Sequence, residues 1–73
     1  MATRKEILQD IRSQYGNMVN ITQAGKLLGY SDRTATKRFL DGLPIYDLGK
    51  EKKYMAIDIA KRIDSARLVE VGA

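Results

Sequence analysis

The side chains of this 73-residue chain that could do chemistry are its lysines and arginines. The sequence has 13 Lys and Arg against 9 Asp and Glu, and it has no His and no Cys. Imidazole-based acid–base catalysis, thiol nucleophiles and the common zinc sites are therefore excluded. The acids are scattered among basic residues, as ordinary surface residues are. We expect no enzyme activity, no metal, no cofactor and no small-molecule substrate.

The positive charge is concentrated in the middle of the chain. Residues 26–53 contain seven basic and four acidic side chains, so this segment carries +3 of the formal net charge of +4. Such a patch suits a polyanion, because neutralised phosphates release their counterions. The alternative is that the charge serves solubility alone. The secondary structure predicted for the same segment distinguishes polyanion binding from solubility alone.

Residues 22–41 have the pattern of a helix-turn-helix. Thr22 is a suitable cap for a first short helix, and Ser31 is a suitable cap for a second helix that ends at about Asp41. Gly25 lies inside the first helix, where it costs roughly 1 kcal/mol relative to Ala, and it would let a neighbouring helix approach closely. This motif can place its second helix in the major groove of DNA.

The second helix is predicted to present a basic face. At about 100° per residue, Ala35 and Phe39 share the inward side, and Arg33 and Lys37 lie one turn apart on the opposite side. We expect Arg33 and Lys37 to read base edges; the alternative is an ordinary solvated helix face. The phosphate contacts that we predict come from Thr34, Thr36, Arg38 and the backbone N–H groups near Thr22.

Residues 45–55 are typical of a β-hairpin with a charged tip. Two strands alone are marginal in water, and the short branched segment 19–21 is the obvious third strand, although it could also be an extended entry to the next helix. A basic hairpin beside a helix-turn-helix is a wing. Lys50, Lys52 and Lys53 are predicted to reach phosphates or the minor groove. The same lysines could also protect a strand edge against aggregation.

Two further helices complete a single domain over residues 1–73. Thr3 and Glu6 form a capping box before a helix at about 4–15, and helical spacing returns at about 56–68. We therefore expect a mainly α fold with a small β-hairpin, with about four helices and a two- or three-stranded wing. The sequence has no apolar run of membrane-spanning length and no signal-peptide-like start, which predicts a cytoplasmic, nucleoid-associated protein.

With these motifs in place, the segment 21–63 resembles the winged helix-turn-helix of small phage and mobile-element excisionases. It is also similar to the DNA-binding domain of MerR-type regulators. The resemblance rests on short motifs, which are Thr22-Gln23-Ala24-Gly25-Lys26-Leu27-Leu28-Gly29, Ser31-Asp32-Arg33-Thr34 and Gly42-Leu43-Pro44. The chain departs from the family at Ala35, where Val is usual, and at Arg38, where an apolar residue is usual. The helix at 4–15 is extra relative to the minimal excisionase.

These observations predict a non-enzymatic, double-stranded DNA-binding protein. The resemblance implies an architectural role in site-specific recombination, with an integrase or a second copy as partner on the DNA. A small phage or mobile-element transcription regulator would use the same residues, as would the DNA-recognition subunit of a phage terminase. The alternative class is a protein-interaction module, whose partner surface would be the stripe of Ile7, Ile11 and Tyr15 or the tail 68–71. Leu40, if exposed, would favour that alternative.

Overall fold

Four α-helices and a small three-stranded antiparallel sheet make up residues 3–66, the part of the chain that the computed structural model describes. The elements in chain order are α1 (Arg4–Tyr15), β1 (Met18–Val19), α2 (Ile21–Leu28), α3 (Arg33–Leu40), β2 (Tyr46–Asp47), β3 (Lys52–Met55) and α4 (Ala56–Ser65). The mainly helical composition with a small sheet agrees with the prediction. None of these helices is long and apolar enough to cross a membrane.

Helix α1 has the bounds that the sequence predicts, because its start and stop signals are local. The Thr3 hydroxyl accepts a hydrogen bond from the Glu6 N–H at 3.2 Å, and the Thr3 N–H donates to the Glu6 carboxylate at 3.1 Å. The Thr3 N–H, followed by the Thr3 hydroxyl, lowers the pKa of the Glu6 carboxyl. The helix ends at Gly16, whose φ of +87° is a conformation that suits glycine.

The apolar stripe of α1 belongs to the core. Ile11 is fully buried, and Ile7 and Tyr15 are partly buried against the same cluster. The remaining buried apolar side chains come from the sheet and the other three helices and are Val19, Ala24, Leu40, Ala56, Ile59 and Ala60. Helix α1 packs chiefly on α4, and the Arg4 guanidinium meets the Asp64 carboxylate at 3.1 Å across this contact. The stripe is therefore not an exposed partner surface.

Helix α2 begins two residues earlier than the sequence predicted, with Ile21 as its first residue. Its cap is Asn20, not Thr22, and Asn20 Oδ1 accepts from the Gln23 N–H at 2.8 Å. The Gln23 side chain accepts from the Asn20 N–H at 3.1 Å, which completes a capping box. Thr22 cannot form this reciprocal pair, because the residue three positions later is Gly25, which has no side chain. Thr22 is instead an exposed residue of the first helical turn.

Helix α3 differs from the prediction at its start and agrees with it at its end, which was placed at about Asp41. Its cap is Asp32, not Ser31, and Asp32 Oδ1 accepts from the Thr34 N–H at 3.0 Å. A carboxylate is favoured at this position because it interacts with the positive end of the helix dipole. The last helical residue is Leu40, and Asp41 is the residue that follows the helix. The four residues 29–32 join α2 to α3.

The buried side of α3 is centred on Thr36 and Leu40, which are 2% and 1% exposed. We expected Ala35 and Phe39 to face inward, but both are only partly buried. The reason is close helix packing. A Cβ atom at Gly25 would lie 3.1 Å from Thr36 Oγ1, so the missing side chain makes room for Thr36 against α2. The use predicted for this glycine is therefore confirmed.

The sheet has the strand order β1-β3-β2, and both pairings are antiparallel. Strand β1 is the third strand that the sequence suggested, although it covers Met18–Val19 and the chain is already helical at Ile21. The hairpin of β2 and β3 is as predicted within residues 45–55. Helix α4 follows β3 directly, and the predicted positions 67 and 68 of that helix, with the tail 68–71, lie outside the described residues.

Candidate nucleic-acid interface

A groove of about 540 Å³ lies between the first turn of α2, the helix α3 and the β2–β3 hairpin. We call it the basic groove. Its lining residues are Asn20, Ile21, Thr22, Arg33, Lys37, Ile45, Lys50, Glu51, Lys52 and Tyr54. These residues come from three separate stretches of the chain, and the α2–α3 packing and the sheet bring them together.

Four exposed cations give the basic groove its charge. Arg33 and Lys37 of α3 line one part, and Lys50 and Lys52 of the hairpin line another. The lining contains one carboxylate, that of Glu51, which lies 3.4 Å from the ammonium group of Lys53. An ion pair at the surface leaves little net charge at that point. The groove is therefore suited to a ligand that carries several negative charges along its length.

The placement of Arg33 and Lys37 follows from the way α3 is anchored. Residues four positions apart lie on the same face of a helix. Thr36 and Leu40 of α3 are buried, and Ala35 and Phe39 are partly buried. The remaining side of the helix, which carries Arg33, Lys37, Thr34 and Arg38, is exposed to solvent. In angular order, Arg33, Lys37, Thr34 and Arg38 form one continuous exposed arc of about 140°. Thr34 and Arg38 belong to this arc but do not line the groove.

The two faces of the hairpin separate its lysines. Lys52 pairs with Asp47 and Lys53 pairs with Tyr46 across the strands, and successive residues of a strand point to opposite faces. Lys52 lines the basic groove, whereas Lys53 does not. The Lys53 side chain is 27% exposed, and its ammonium group is engaged with Glu51. The structure therefore does not bring Lys53, which we predicted as a wing contact, into the basic groove with Lys50 and Lys52.

Thr36 is the other predicted contact that the structure places elsewhere. Its side chain is 2% exposed, and its hydroxyl donates to the backbone carbonyl of Asp32 at 3.2 Å. A buried hydroxyl cannot reach a phosphate, so the expected phosphate contact at Thr36 is wrong. Its position supports the start of α3 instead.

The first turn of α2 remains available at the groove. Thr22 is exposed and lines the basic groove, although it does not cap the helix. The first N–H groups of any helix lack intrahelical partners, and here the Gln23 N–H is already bonded to Asn20. The predicted anion contact near Thr22 therefore depends on the backbone N–H groups that precede Gln23.

Some groove residues were absent from the sequence prediction. Ile45 is 56% exposed, and with Ile21 and Tyr54 it gives the basic groove an apolar component. A period-two pattern along the hairpin could have indicated Tyr54, since it lies two residues after the exposed Lys52 on the same face of β3 and pairs with Val19. No local signal marks Ile45, which precedes β2 and owes its position to the turn after α3.

Arg62 has a structural role that sequence reasoning missed. Its guanidinium donates to the backbone carbonyls of Phe39 at 2.9 Å and Asp41 at 3.0 Å. These bonds satisfy carbonyl groups at the C-terminal end of α3 and attach that end to α4. The position of Arg62 beside the apolar stripe of α4, three residues after Ile59, is the signal that could have indicated an inward-reaching side chain.

Within residues 3–66, no group of three or more Asp or Glu side chains is arranged to hold a metal ion. Comparison of the chain with protein-family models, with curated proteins and with solved structures gives no match.

Proposed function

We propose that this chain is a non-enzymatic, double-stranded DNA-binding protein of the winged helix-turn-helix type. In this proposal α2 and α3 are the helix-turn-helix, α3 is the recognition helix, and the β2–β3 hairpin is the wing. The observation that carries the proposal is that Arg33 and Lys37 of α3 and Lys50 and Lys52 of the hairpin line one groove. Cations on two elements with a gap between them are suited to the phosphodiester backbone of a nucleic acid, and less suited to a single small anion.

The geometry of duplex DNA explains why the groove would lie where it does. A recognition helix enters the major groove, and a wing reaches the neighbouring minor groove. One phosphodiester strand separates these two grooves of the duplex. That strand would lie in the basic groove, with Lys50 and Lys52 on one side of its phosphates and the helix α3 on the other.

Individual residues then have distinct tasks. Arg33 and Lys37, one turn apart at the start and middle of α3, would reach base edges in the major groove. Thr34 and Arg38 continue the same exposed arc and would contact phosphates on its far side. The first turn of α2, around Thr22, would hold a further phosphate through its backbone N–H groups.

The outward surface of α3 favours DNA over a protein partner. A protein-binding surface would present apolar side chains at its centre. Leu40, whose exposure would have favoured that alternative, is 1% exposed and belongs to the core. The exposed arc of α3 consists of Arg33, Lys37, Thr34 and Arg38, all polar or charged.

The biological role would follow from the small size of the interface. A single module buries roughly 600–1,000 Å² of protein surface on DNA, so useful specificity requires a second copy, a repeated site or a partner protein. An excisionase-like factor that acts beside an integrase, or a small phage or mobile-element regulator, would satisfy this requirement. Either role would place the protein on DNA in the cytoplasm.

Charge-matched variants test the proposal. We expect Lys50→Ala/Lys52→Ala to weaken binding to random-sequence duplex DNA, and to lower the slope of log affinity against log salt by about 2, since each phosphate contact contributes about 1. The control is Lys5→Ala/Lys61→Ala, which removes the same charge from exposed positions on α1 and α4. Fluorescence-anisotropy titrations at several salt concentrations measure both.

The control should retain nearly the whole salt slope of the unmodified protein. Equal losses in the two double variants would mean that only the net charge matters and that the groove has no special role. Absence of salt-dependent binding by the unmodified protein would overturn the DNA-binding proposal itself.

A further inference from the structure

The tip of the hairpin carries a leucine that the described residues 3–66 leave exposed. Leu48 is 57% exposed, more than any other large apolar side chain in residues 3–66. An exposed leucine at the end of a hairpin, rather than in the core, leaves apolar surface in water that a partner could cover.

The tip is a defined turn and not a loose loop. The Leu48 N–H donates to the Glu51 carbonyl at 2.9 Å, and Asp47 Oδ1 accepts from the Gly49 N–H at 3.0 Å. Gly49 has a φ of +95°, a conformation that glycine adopts without strain. Leu48 is therefore presented at a fixed place beside the two-residue loop of Gly49 and Lys50.

The charges around Leu48 are suited to phosphates. Lys50, Glu51 and Lys53 surround it, and the Glu51 carboxylate is paired with Lys53 at 3.4 Å. The cation of Lys50 remains, and Lys50 also lines the basic groove. The apolar tip is thus continuous with the surface that carries the proposed function. This charge pattern favours DNA over an apolar protein surface, which would have to desolvate the lysines.

Building on the proposed DNA-binding function, we propose that Leu48 is a wedge that enters the minor groove and separates two stacked base pairs. If one phosphodiester strand occupies the basic groove, the hairpin tip extends past that strand to the minor groove. Apolar side chains at such a position partly unstack a base step, and flanking cations hold the backbone on either side. Pyrimidine–purine steps such as TA unstack most readily. Leu48 would therefore make the protein prefer sites with a flexible step under the wing, at a position with no base-specific hydrogen bond.

The test uses duplexes that contain 2-aminopurine, whose fluorescence rises when it is unstacked. A target duplex selected with the unmodified protein receives the probe at a TA step under the wing, and a second duplex has a GC step there. We expect the unmodified protein to raise the fluorescence and to bind the TA duplex more tightly. Leu48→Ala should lose both effects, whereas Leu48→Met should retain them because it keeps a long apolar side chain.

Tyr46→Ala is the matched control, since Tyr46 is a 39% exposed apolar residue of the same hairpin away from the tip. It should leave the fluorescence rise intact. If DNA binding depends on Lys50 and Lys52 but Leu48→Ala gives the same fluorescence and the same TA preference as the unmodified protein, the wedge is wrong and the DNA-binding proposal stands. In that case the exposed leucine would belong to a protein contact. If no duplex is bound at all, both proposals fail.

Discussion

A single side chain, Thr36, determines how α3 is presented to solvent. A Cβ atom added at Gly25 would lie only 3.1 Å from Thr36 Oγ1. The Thr36 hydroxyl also donates a hydrogen bond to the Asp32 carbonyl at 3.2 Å. Because α2 approaches α3 this closely, Thr36 is enclosed, and Arg33 and Lys37 remain exposed beside the first turn of α2. A residue that we expected to bind phosphate thus acts by orienting the residues that we propose to bind DNA.

This packing gives a prediction at the scale of two residues. Gly25→Ala should destabilise the fold, because the new methyl group meets a buried and hydrogen-bonded side chain. Overpacking of this kind costs roughly 1–3 kcal/mol, which equals or exceeds the approximately 1 kcal/mol gained in helix propensity. In a Thr36→Ala background the same change should be neutral or stabilising, since the contact is gone. Urea unfolding followed by circular dichroism measures the four proteins of this cycle.

The expected coupling between the two positions is about 1 kcal/mol, within the range for residues in contact. Additive effects would show that α2 and α3 do not approach each other at Gly25 as described.

The sequence predicted residue types at the site better than their orientations. Arg33, Lys37, Lys50, Lys52 and the Thr22 turn do line one groove. The burial of Thr36 could not be predicted, because it depends on how α2 and α3 pack and not on spacing within α3.

The orientation of the Lys53 side chain also could not be predicted from the sequence. Neighbouring residues of a strand point to opposite faces, and a pattern of consecutive lysines does not show which of them faces the helices. The register of the hairpin, in which Lys53 pairs with Tyr46, decides this.

At the scale of elements, the sequence predicted correctly those helix ends that depend on residues close by in the chain. Helix α1 starts at a capping box and stops at a glycine, so both of its ends agree with the sequence. The caps predicted for α2 and α3, Thr22 and Ser31, are wrong, because Asn20 and Asp32 form the capping hydrogen bonds instead. Asn20 has a Gln partner three residues later, whereas Thr22 has Gly25. The third strand was predicted as a possibility only, since two residues carry too little pattern to distinguish a strand from an extended turn.

The cap of α2 gives the second prediction of stability. Asn20→Ala removes the acceptor for the Gln23 N–H and should cost about 1 kcal/mol, a typical value for the loss of a capping side chain. Thr22→Ala should change the free energy of unfolding by less than about 0.5 kcal/mol, as is usual for an exposed site without such a role. Chemical denaturation of both variants checks the comparison.

If Thr22→Ala lowered the free energy of unfolding more than Asn20→Ala does, the cap of α2 would be Thr22, as the sequence suggested. In that case the first turn of α2 would be displaced relative to the basic groove.

In the molecule as a whole, different helices have different roles. The residues that line the basic groove come from the stretch 20–54, and neither α1 nor α4 contributes to its lining. These two helices pack on each other and supply Ile11, Ile59 and Ala60 to the core. The Arg62 hydrogen bonds to Phe39 and Asp41 connect α4 to the end of α3. Helix α1 thus enlarges the core of a small fold, and α4 holds the proposed recognition helix in place.

The central claim is that duplex DNA occupies the basic groove, and a titration followed by ¹⁵N–¹H NMR tests it most directly. Added duplex should shift the backbone amide signals of the first turn of α2, of α3 around Arg33 and Lys37, and of the hairpin around Lys50 and Lys52. Signals of α1 and of the solvent-facing side of α4 should stay in place at the same DNA concentration. Shifts confined to α1 and α4, or no shifts at low salt, would contradict the claim.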